Sequence, residues 1–460
     1  MNETQNVVKI GGKSVIIAVS VIVGLMILTY CLTLFVPAGA YLYNADGEII
    51  ADSFQYVEGG ISFWKWLLSP ILVLLAEGNG TLLAVMAFVL VIGAVFTALN
   101  EAGILHYLLS KIVFKYHEKK YKLLNMIILF FMAMGSLVGS FEEATPMIPL
   151  AVGIATGMGW DPFVGLGMSL LAVACGFATA ISNPFTVGIA QKLAGLPMFS
   201  GIWMRILAFI LIYILLRSFL TKYAKKVEKK DVELEAQRFI PDVKIEKAIE
   251  IFAAFLMTGM FLVLLSPFIS VLQNLTMVIV AVMFLSGGIA SVLASGKGMS
   301  FLCKNFWEGI VAISPSLIIL LMAASIKYIM VEGKILDTIL HAAVGAAGNM
   351  PKVLIVLFIY MITLVMNFFI STGSGKAILM IPLLVPMASM FGVSSQMVVL
   401  AYIFGDGFSN VFYPTNPVTI IGCSIAGVTY PQWAKFSAKF QLLNLLITSG
   451  LLVLGVLVGY

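Results

Sequence analysis

Apolar runs of about 20 residues, each enough to cross a hydrocarbon layer of about 30 Å, recur from one end of the chain to the other. The first, residues 15–36, follows Lys9 and Lys13. It exceeds the about 7–15 residues of a signal-peptide core, so it reads as an uncleaved span with its N-terminus in the cytoplasm. An aromatic stretch (Phe63, Trp64, Trp66) marks an interface, a span follows at 81–99, and an amphipathic helix at 105–116 lies along the surface. The apolar segment 123–158 is interrupted by Gly139-Ser-Phe-Glu-Glu-Ala-Thr-Pro146. Its arms are too short to cross alone, which predicts a re-entrant hairpin. A broken helix at 163–197 and a span at 201–220 complete a first unit, residues 1–221.

The polar segment 222–247 reads as a cytoplasmic linker. Residues 248–460 form a second unit, with spans at 248–268, 274–294 and 306–330 and an amphipathic piece at 334–347. A second hairpin at 352–391, a broken helix at 395–427 and a span at 434–458 follow. The units share a pattern: Met147-Ile-Pro-Leu150 recurs as Met380-Ile-Pro-Leu383, and Ser182-Asn-Pro-Phe-Thr-Val187 as Thr415-Asn-Pro-Val-Thr-Ile420, both 233 residues on. Asn183 and Asn416 each follow their Met by 36 residues. Duplicated halves with helix breakers at matching points are the mark of a secondary transporter, and the breaks point to its substrate site. Five crossings separate the matched motifs, and an odd number inverts the second copy. The expected architecture is therefore an all-α polytopic membrane protein of two inverted repeats, with hairpins entering from opposite faces.

Composition agrees with this pattern. Hydrophobic residues make up 61% and charged residues 11% of 460, against about 45–50% and about 25% in soluble domains. The mean hydropathy is +1.07. The formal charge of +5 is unevenly placed. Five lysines fall in Lys111–Lys122 and eight Lys/Arg in Lys222–Lys247, while residues 37–62 have none and carry Asp46, Glu48, Asp52 and Glu58. That asymmetry sets orientation in a membrane and implies no nucleic-acid partner. The four cysteines (Cys31, Cys175, Cys303, Cys423) stand singly, giving neither a zinc site nor a disulfide framework.

Candidate chemistry gathers at the tips and breaks. Proline removes a donor and clashes with the preceding turn, so Pro184 and Pro417 should free backbone carbonyls to ligate a cation, while half-helix N-termini favour an anion. Asn183 and Asn416 add side-chain oxygens suited to Na⁺ or amide donors suited to a carboxylate. Thr186, Asn410 and Thr415 flank the same breaks. The second tip is Ser371-Thr372-Gly373-Ser374-Gly375-Lys376. Under the 233-residue offset Glu143 matches Lys376, so an acid and a base occupy pseudo-symmetric positions. Two readings stay open: a Glu143–Lys376 ion pair closing the gap between tips, or a site in which Lys376 and the tip amides hold a carboxylate while Glu142 or Glu143 takes an amine, a guanidinium or a proton. Asp406 is a third acid at membrane depth, rare without a role. Glu142, Glu143 and Asp406 against Lys376 leave a net −2, which suits a cationic or zwitterionic solute. Ser140, Ser182, Asn183, Ser374, Asn416, Glu143 and Asp406 are candidates for ion coupling, with Na⁺ near Asn183 and Asn416 or H⁺ as the coupling ion and no other cofactor.

Competing motifs fail. Gly373-Ser-Gly-Lys376 lacks the first glycine and the final Ser/Thr of a phosphate loop, and neither HExxH nor GxSxG occurs. No nucleophile–base or metal constellation marks an enzyme. His106, His117 and His341 fall on surface-lying helices or a basic loop and are not expected to be ligands.

Gly405-Asp-Gly-Phe-Ser-Asn410, the acidic pair Glu142-Glu143 and the paired Asn-Pro breaks resemble the ion transporter superfamily, in the C4-dicarboxylate-carrier-like branch that also holds basic amino acid antiporters. The resemblance spans the chain from the aromatic stretch to the last helix. It implies a homodimer in the cytoplasmic (inner) membrane of a prokaryote, with a scaffold domain and a transport domain moving as an elevator. The Ser-Asn-Thr tip signature of the sodium/dicarboxylate branch is absent from both hairpins. The function expected is ion-coupled symport or exchange of a carboxylate-bearing solute, foremost an amino acid and a basic one. The alternatives are Na⁺- or H⁺-coupled uptake of a C4-dicarboxylate and, failing coupling, a passive channel.

Overall fold

A computed structural model describes residues 12–42, 50, 53–76, 80–139, 141–229, 242–265, 269, 275–346 and 350–460. Ser140, the acids Asp46, Glu48 and Asp52, and residues 230–241 of the expected linker lie outside the described residues, as does the side chain of Glu143. Among the described residues the chain is helical apart from one two-residue strand pair, Gly39–Ala40 with Gln55–Tyr56. Eight helical stretches there are long and apolar enough to cross a membrane by length and composition.

The elements follow the apolar pattern. Helix α1 (Gly12–Phe35) is followed by short α2 (Phe63–Leu67) and α3 (Ser69–Leu72), then α4 (Gly80–Glu101) and α5 (Ile104–Tyr116). The first hairpin rises as α6 (Lys120–Ala133), runs through a π-helical turn (Met134–Val138) and turns at Gly139, whose φ of 79° suits glycine. It descends through a 3₁₀ segment (Glu142–Met147) and α7 (Ile148–Gly157). The first broken helix comprises α8 (Pro162–Leu166), a π-helical turn (Gly167–Leu171) and α9 (Ala172–Thr179). After the break come a π-helical turn (Pro184–Gly188), α10 (Ile189–Leu193) and the long α11 (Ile202–Val227).

The second unit brings α12 (Val243–Leu265), α13 (Thr276–Ala294), the 34-residue α14 (Met299–Glu332) and α15 (Leu336–Gly345). Its hairpin is α16 (Lys352–Phe369) and α17 (Gly373–Met390), and its broken helix is α18 (Ser395–Gly407) and α19 (Pro417–Ile425). Helix α20 (Tyr430–Val458) closes the chain. The linker is shorter than 222–247, because α11 continues to Val227 and α12 starts at Val243. Its basic residues extend these helix ends, where Glu228 accepts from both Lys120 and Tyr121 and ties the base of the first hairpin to α11. The Lys120 contact is the main cause holding the Glu228 carboxyl below the usual range.

Hairpins and broken helices pack crosswise. The first arm of each lies on its own broken helix, α6 on α9 and α16 on α18. The descending part of each lies on the other unit's half-helix: Glu142–Met147 against α19, and α17 against α10. Glycine permits the closest crossings. A Cβ on Gly176 would sit 2.0 Å from Met132 O, and one on Gly407 would sit 2.3 Å from Ala178 Cα, where the broken helices meet.

Gly176→Ala should therefore lower the detergent-solubilised melting temperature, overpacking costing about 1–3 kcal/mol. Gly450→Ala, which meets nothing within 4 Å, should leave it unchanged or raise it by helix propensity, worth about 1 kcal/mol.

Candidate substrate site

Chain that breaks at bilayer depth must find its hydrogen bonds within the protein, and both breaks do. At the first, Ala180 turns left-handed at φ 43°. Ile181 N donates to Ser136 Oγ (3.0 Å), Ser182 N to Ser136 O (3.1 Å) and Ser182 Oγ to Leu137 O (3.0 Å), stitching the break to the first hairpin. The fully buried Arg205 of α11 gives Nη2 to Ile181 O (3.3 Å) and to Phe199 O (2.9 Å). At the second, four consecutive or near-consecutive carbonyls are taken by side chains. Gln441 Nε2 donates to Phe408 O, Thr419 Oγ1 to Asn410 O, Trp433 Nε1 to Val411 O and Tyr430 Oη to Phe412 O. Each of these freed carbonyls thus already accepts a protein donor. At the second break this differs from the expectation that proline would leave carbonyls open for a cation. Asn183 Oδ1 and Asn416 Oδ1 are likewise engaged, each capping the half-helix it precedes by accepting from Phe185 N (2.9 Å) and Val418 N (3.0 Å). Among the described residues no group of three or more His, Cys, Asp or Glu could hold a metal.

The charged centre is Lys376 with Asp406, Nζ to Oδ1 2.6 Å, both side chains fully buried. The pairing corrects one expectation: Lys376 does not stand open to a ligand's carboxylate. One turn into α17, its ammonium points back under the tip and spends its three hydrogens on Asp406, Asn367 Oδ1 and Ile370 O. Asn367 then passes the network on: its amide donates to Ser409 Oγ (2.7 Å) and Asn410 Oδ1 (3.0 Å), and Asn410 Oδ1 also accepts from Asn416 Nδ2 (3.4 Å). A continuous buried polar chain thus runs from the second break to the second tip.

The first break joins it at Gly373. A Cβ there would lie 2.8 Å from Asp406 Oδ2 and 2.9 Å from Thr186 Cγ2, so residues from both units meet across one glycine. Gly139 of the first tip likewise lies against the Asn183 carboxamide, where a Cβ would be 2.2 Å from Oδ1. Several buried polar atoms here have no hydrogen-bond partner among the described residues: Asn183 Nδ2, Thr186 Oγ1, Thr415 Oγ1 and Asp406 Oδ2. Each orphan costs free energy unless something pairs with it, and together they offer a ligand one amide donor, two hydroxyls and a carboxylate oxygen. Pro184 is buried and Pro417 half-buried. On the tip, Ser371, Gly373 and Ser374 are half-buried while Thr372 and Gly375 are exposed, so the tip separates the network from open space. Glu142 is half-buried at the first tip.

Asn367, Tyr402, whose hydroxyl donates to Gly373 O, and Arg205 are absent from the sequence-level candidates. Asn367 left a signal, a lone amide inside an apolar helix, whereas its counterpart under the repeat is Met134 and so the duplication hides it.

Removing one partner of a buried ion pair costs about 3–5 kcal/mol, whereas replacing both with apolar residues is often near neutral. Lys376→Met and Asp406→Leu should each sharply lower the melting temperature in detergent, and the double variant should recover most of the loss. Additive losses would show that the pair is not a unit.

The family model described as "DcuC: C4-dicarboxylate anaerobic carrier" matches residues 16–457. The chain is similar to the "Putative basic amino acid antiporter YfcC" of Escherichia coli, 28% identical over 406 residues, with 83% of this chain and 79% of that one covered. It is also similar to an uncharacterized protein of Haemophilus influenzae, 25% identical, covering 83% and 77%. Solved structures that resemble it are the YdaH transporter of Alcanivorax borkumensis and MtrF of Neisseria gonorrhoeae. The first is 18% identical with a TM-score of 0.47, covering 96% of this chain and 99% of that one. The second is 14% identical with a TM-score of 0.45, covering 95% and 94%. With its membrane-length helices and a family match over nearly its whole length, the chain belongs to the C4-dicarboxylate anaerobic carrier family, and it is a membrane transporter, not an enzyme.

Proposed function

We propose that this transporter is a secondary carrier for amino acids with a cationic side chain, held between the two breaks and the two hairpin tips. One observation carries the reading. Lys376 is the single base among the tip and break residues, and it is neutralised within the fold by Asp406. The nearby Arg205 is spent on the carbonyls of Ile181, Phe199 and Ser200, so no cation is left there for a second carboxylate, and the sequence at the first tip adds Glu142 and Glu143. The substrate's α-carboxylate takes Asn183 Nδ2 and the hydroxyls of Thr186 and Thr415, and its cationic end lies toward the first tip. The name of the Escherichia coli relative favours the same class. A second reading, transport of a C4-dicarboxylate, is favoured by the family description.

The carrier works by alternating access, coupled to Na⁺ or H⁺ or by exchange, with Ser182, Ser374, Asp406 and the two asparagines as coupling candidates. Its two units are inverted repeats, a reading supported by the crosswise seating of each hairpin on the other unit's half-helix. The hairpins and broken helices move as one body against α12–α14, in a homodimer. A seam lined by Met134, Met147, Met260 and Met283 runs along that boundary, and flexible methionines suit a surface that repacks as it slides.

Counterflow in proteoliposomes, with and without Na⁺ at two pH values, tests the substrate. Arginine or lysine should exchange, and Glu143→Gln should weaken it about tenfold or more, about 1.4 kcal/mol. Exchange of succinate alone would put the dicarboxylate in its place; unsaturable flux would mean a channel. Cysteines placed at Ser140 and Ser374 should react with impermeant reagent from opposite sides, and reaction from one side would end the inverted-repeat reading.

A further inference from the structure

A cavity of about 330 Å³ lies outside the buried network, on the far side of the second hairpin tip, near the lower end of the about 300–1,000 Å³ range of small-molecule sites. Its walls are α14, the strand residues Gly39 and Ala40 and the start of α15; its floor is Ile370, Gly375, Ile378 and Leu379 of the hairpin. Three charged residues line it: Lys327, Lys334 and Asp337. Two are already engaged. Lys334 Nζ donates to Glu58 O (3.2 Å), and Asp337 Oδ2 accepts from Tyr41 N (3.1 Å). Lys327 is different. It sits five residues before the end of α14, about 7–8 Å down the helix from Glu332, which pairs with Lys65 at 3.1 Å. Among the described residues the Lys327 ammonium has no hydrogen-bond or ion-pair partner.

Lys327 is exposed at the cavity wall, and a lysine near the end of a spanning helix with no acid paired to it is free to meet a ligand's carboxylate. We propose that Lys327 is the cation of an entry subsite, which receives a solute's carboxylate in this cavity before the hairpin tip opens toward Asp406. Gly375, on the cavity floor, is adjacent in sequence to Lys376, whose ammonium lies on the buried side, so the tip alone parts the two sites. Lys376 therefore holds the interior together while Lys327 meets the incoming anion. The subsite rests on the transport reading but not on which carboxylate is carried, since amino acids and dicarboxylates both present one.

The test uses the wild-type chain in liposomes, acylated with an amine-directed reagent and read peptide by peptide at Lys327, with Lys334 as internal comparator. The probes are arginine, succinate and agmatine, which is arginine without its carboxylate. A carboxylate-bearing probe should slow acylation of Lys327 and agmatine should not. Lys327→Gln should raise KM for the transported solute about tenfold with Vmax unchanged, and Lys327→Arg should restore it. Protection by succinate and not arginine would sustain the subsite while removing the basic amino acid as substrate. Equal acylation rates with all three probes, or an unchanged KM in Lys327→Gln, would overturn the proposal.

Discussion

Backbone that leaves its helix inside a bilayer has no water to pair with, and the whole arrangement of this transporter answers that constraint. The partners come from elements far away in sequence. Ser136 of the first hairpin and Arg205 of α11 close the first break; Tyr430, Trp433 and Gln441 of α20 close the second. Each break is thereby fixed against a neighbour, and among the described residues the side-chain atoms Asn183 Nδ2, Thr186 Oγ1 and Thr415 Oγ1 beside the breaks stay without a hydrogen-bond partner. Had the freed carbonyls been left open, the breaks would favour cations indiscriminately. With those carbonyls engaged, selectivity in the proposed function passes to Asn183, Thr186, Thr415 and the charges nearby.

The Lys376–Asp406 pair links this scaffolding to function. Buried pairs contribute little net stability, because desolvation offsets the attraction. Here the pair does something more specific: it ties the tip of the second hairpin to the second broken helix, while Gly373 brings Thr186 of the first unit against Asp406. The tip of the second hairpin is therefore held to its own broken helix by one ion pair and a hydrogen bond from Tyr402. Beyond the tip lies the cavity lined by Lys327, which has no ion-pair partner among the described residues.

Much of this was legible in the residues. Asn-Pro at matched offsets located both breaks, the interrupted apolar segments located both hairpins, and Asp406 stood out as an acid in apolar sequence. The partners were harder. The 233-residue offset pointed Lys376 toward Glu143 or a ligand's carboxylate, whereas it lies a turn past its tip and reaches back to its own hairpin and broken helix. Asn367 has a methionine as its repeat counterpart, so duplication could not mark it. Gln441 read as part of an ordinary span, and Tyr430 and Trp433 as the stretch before it, since nothing local says which carbonyls a side chain will reach. The crossings at Gly176 and Gly407 were hidden among 41 glycines, because close approach depends on the neighbour.

The most direct measurement is a density map of the transporter in a lipid nanodisc with arginine bound. Ligand density should be bounded by Asn183, Thr186, Gly373 and Thr415, with Lys376 still on Asp406 and both interruptions enclosed by protein. Density lodged elsewhere, or Lys376 swung onto the ligand's carboxylate with Asp406 abandoned, would contradict it.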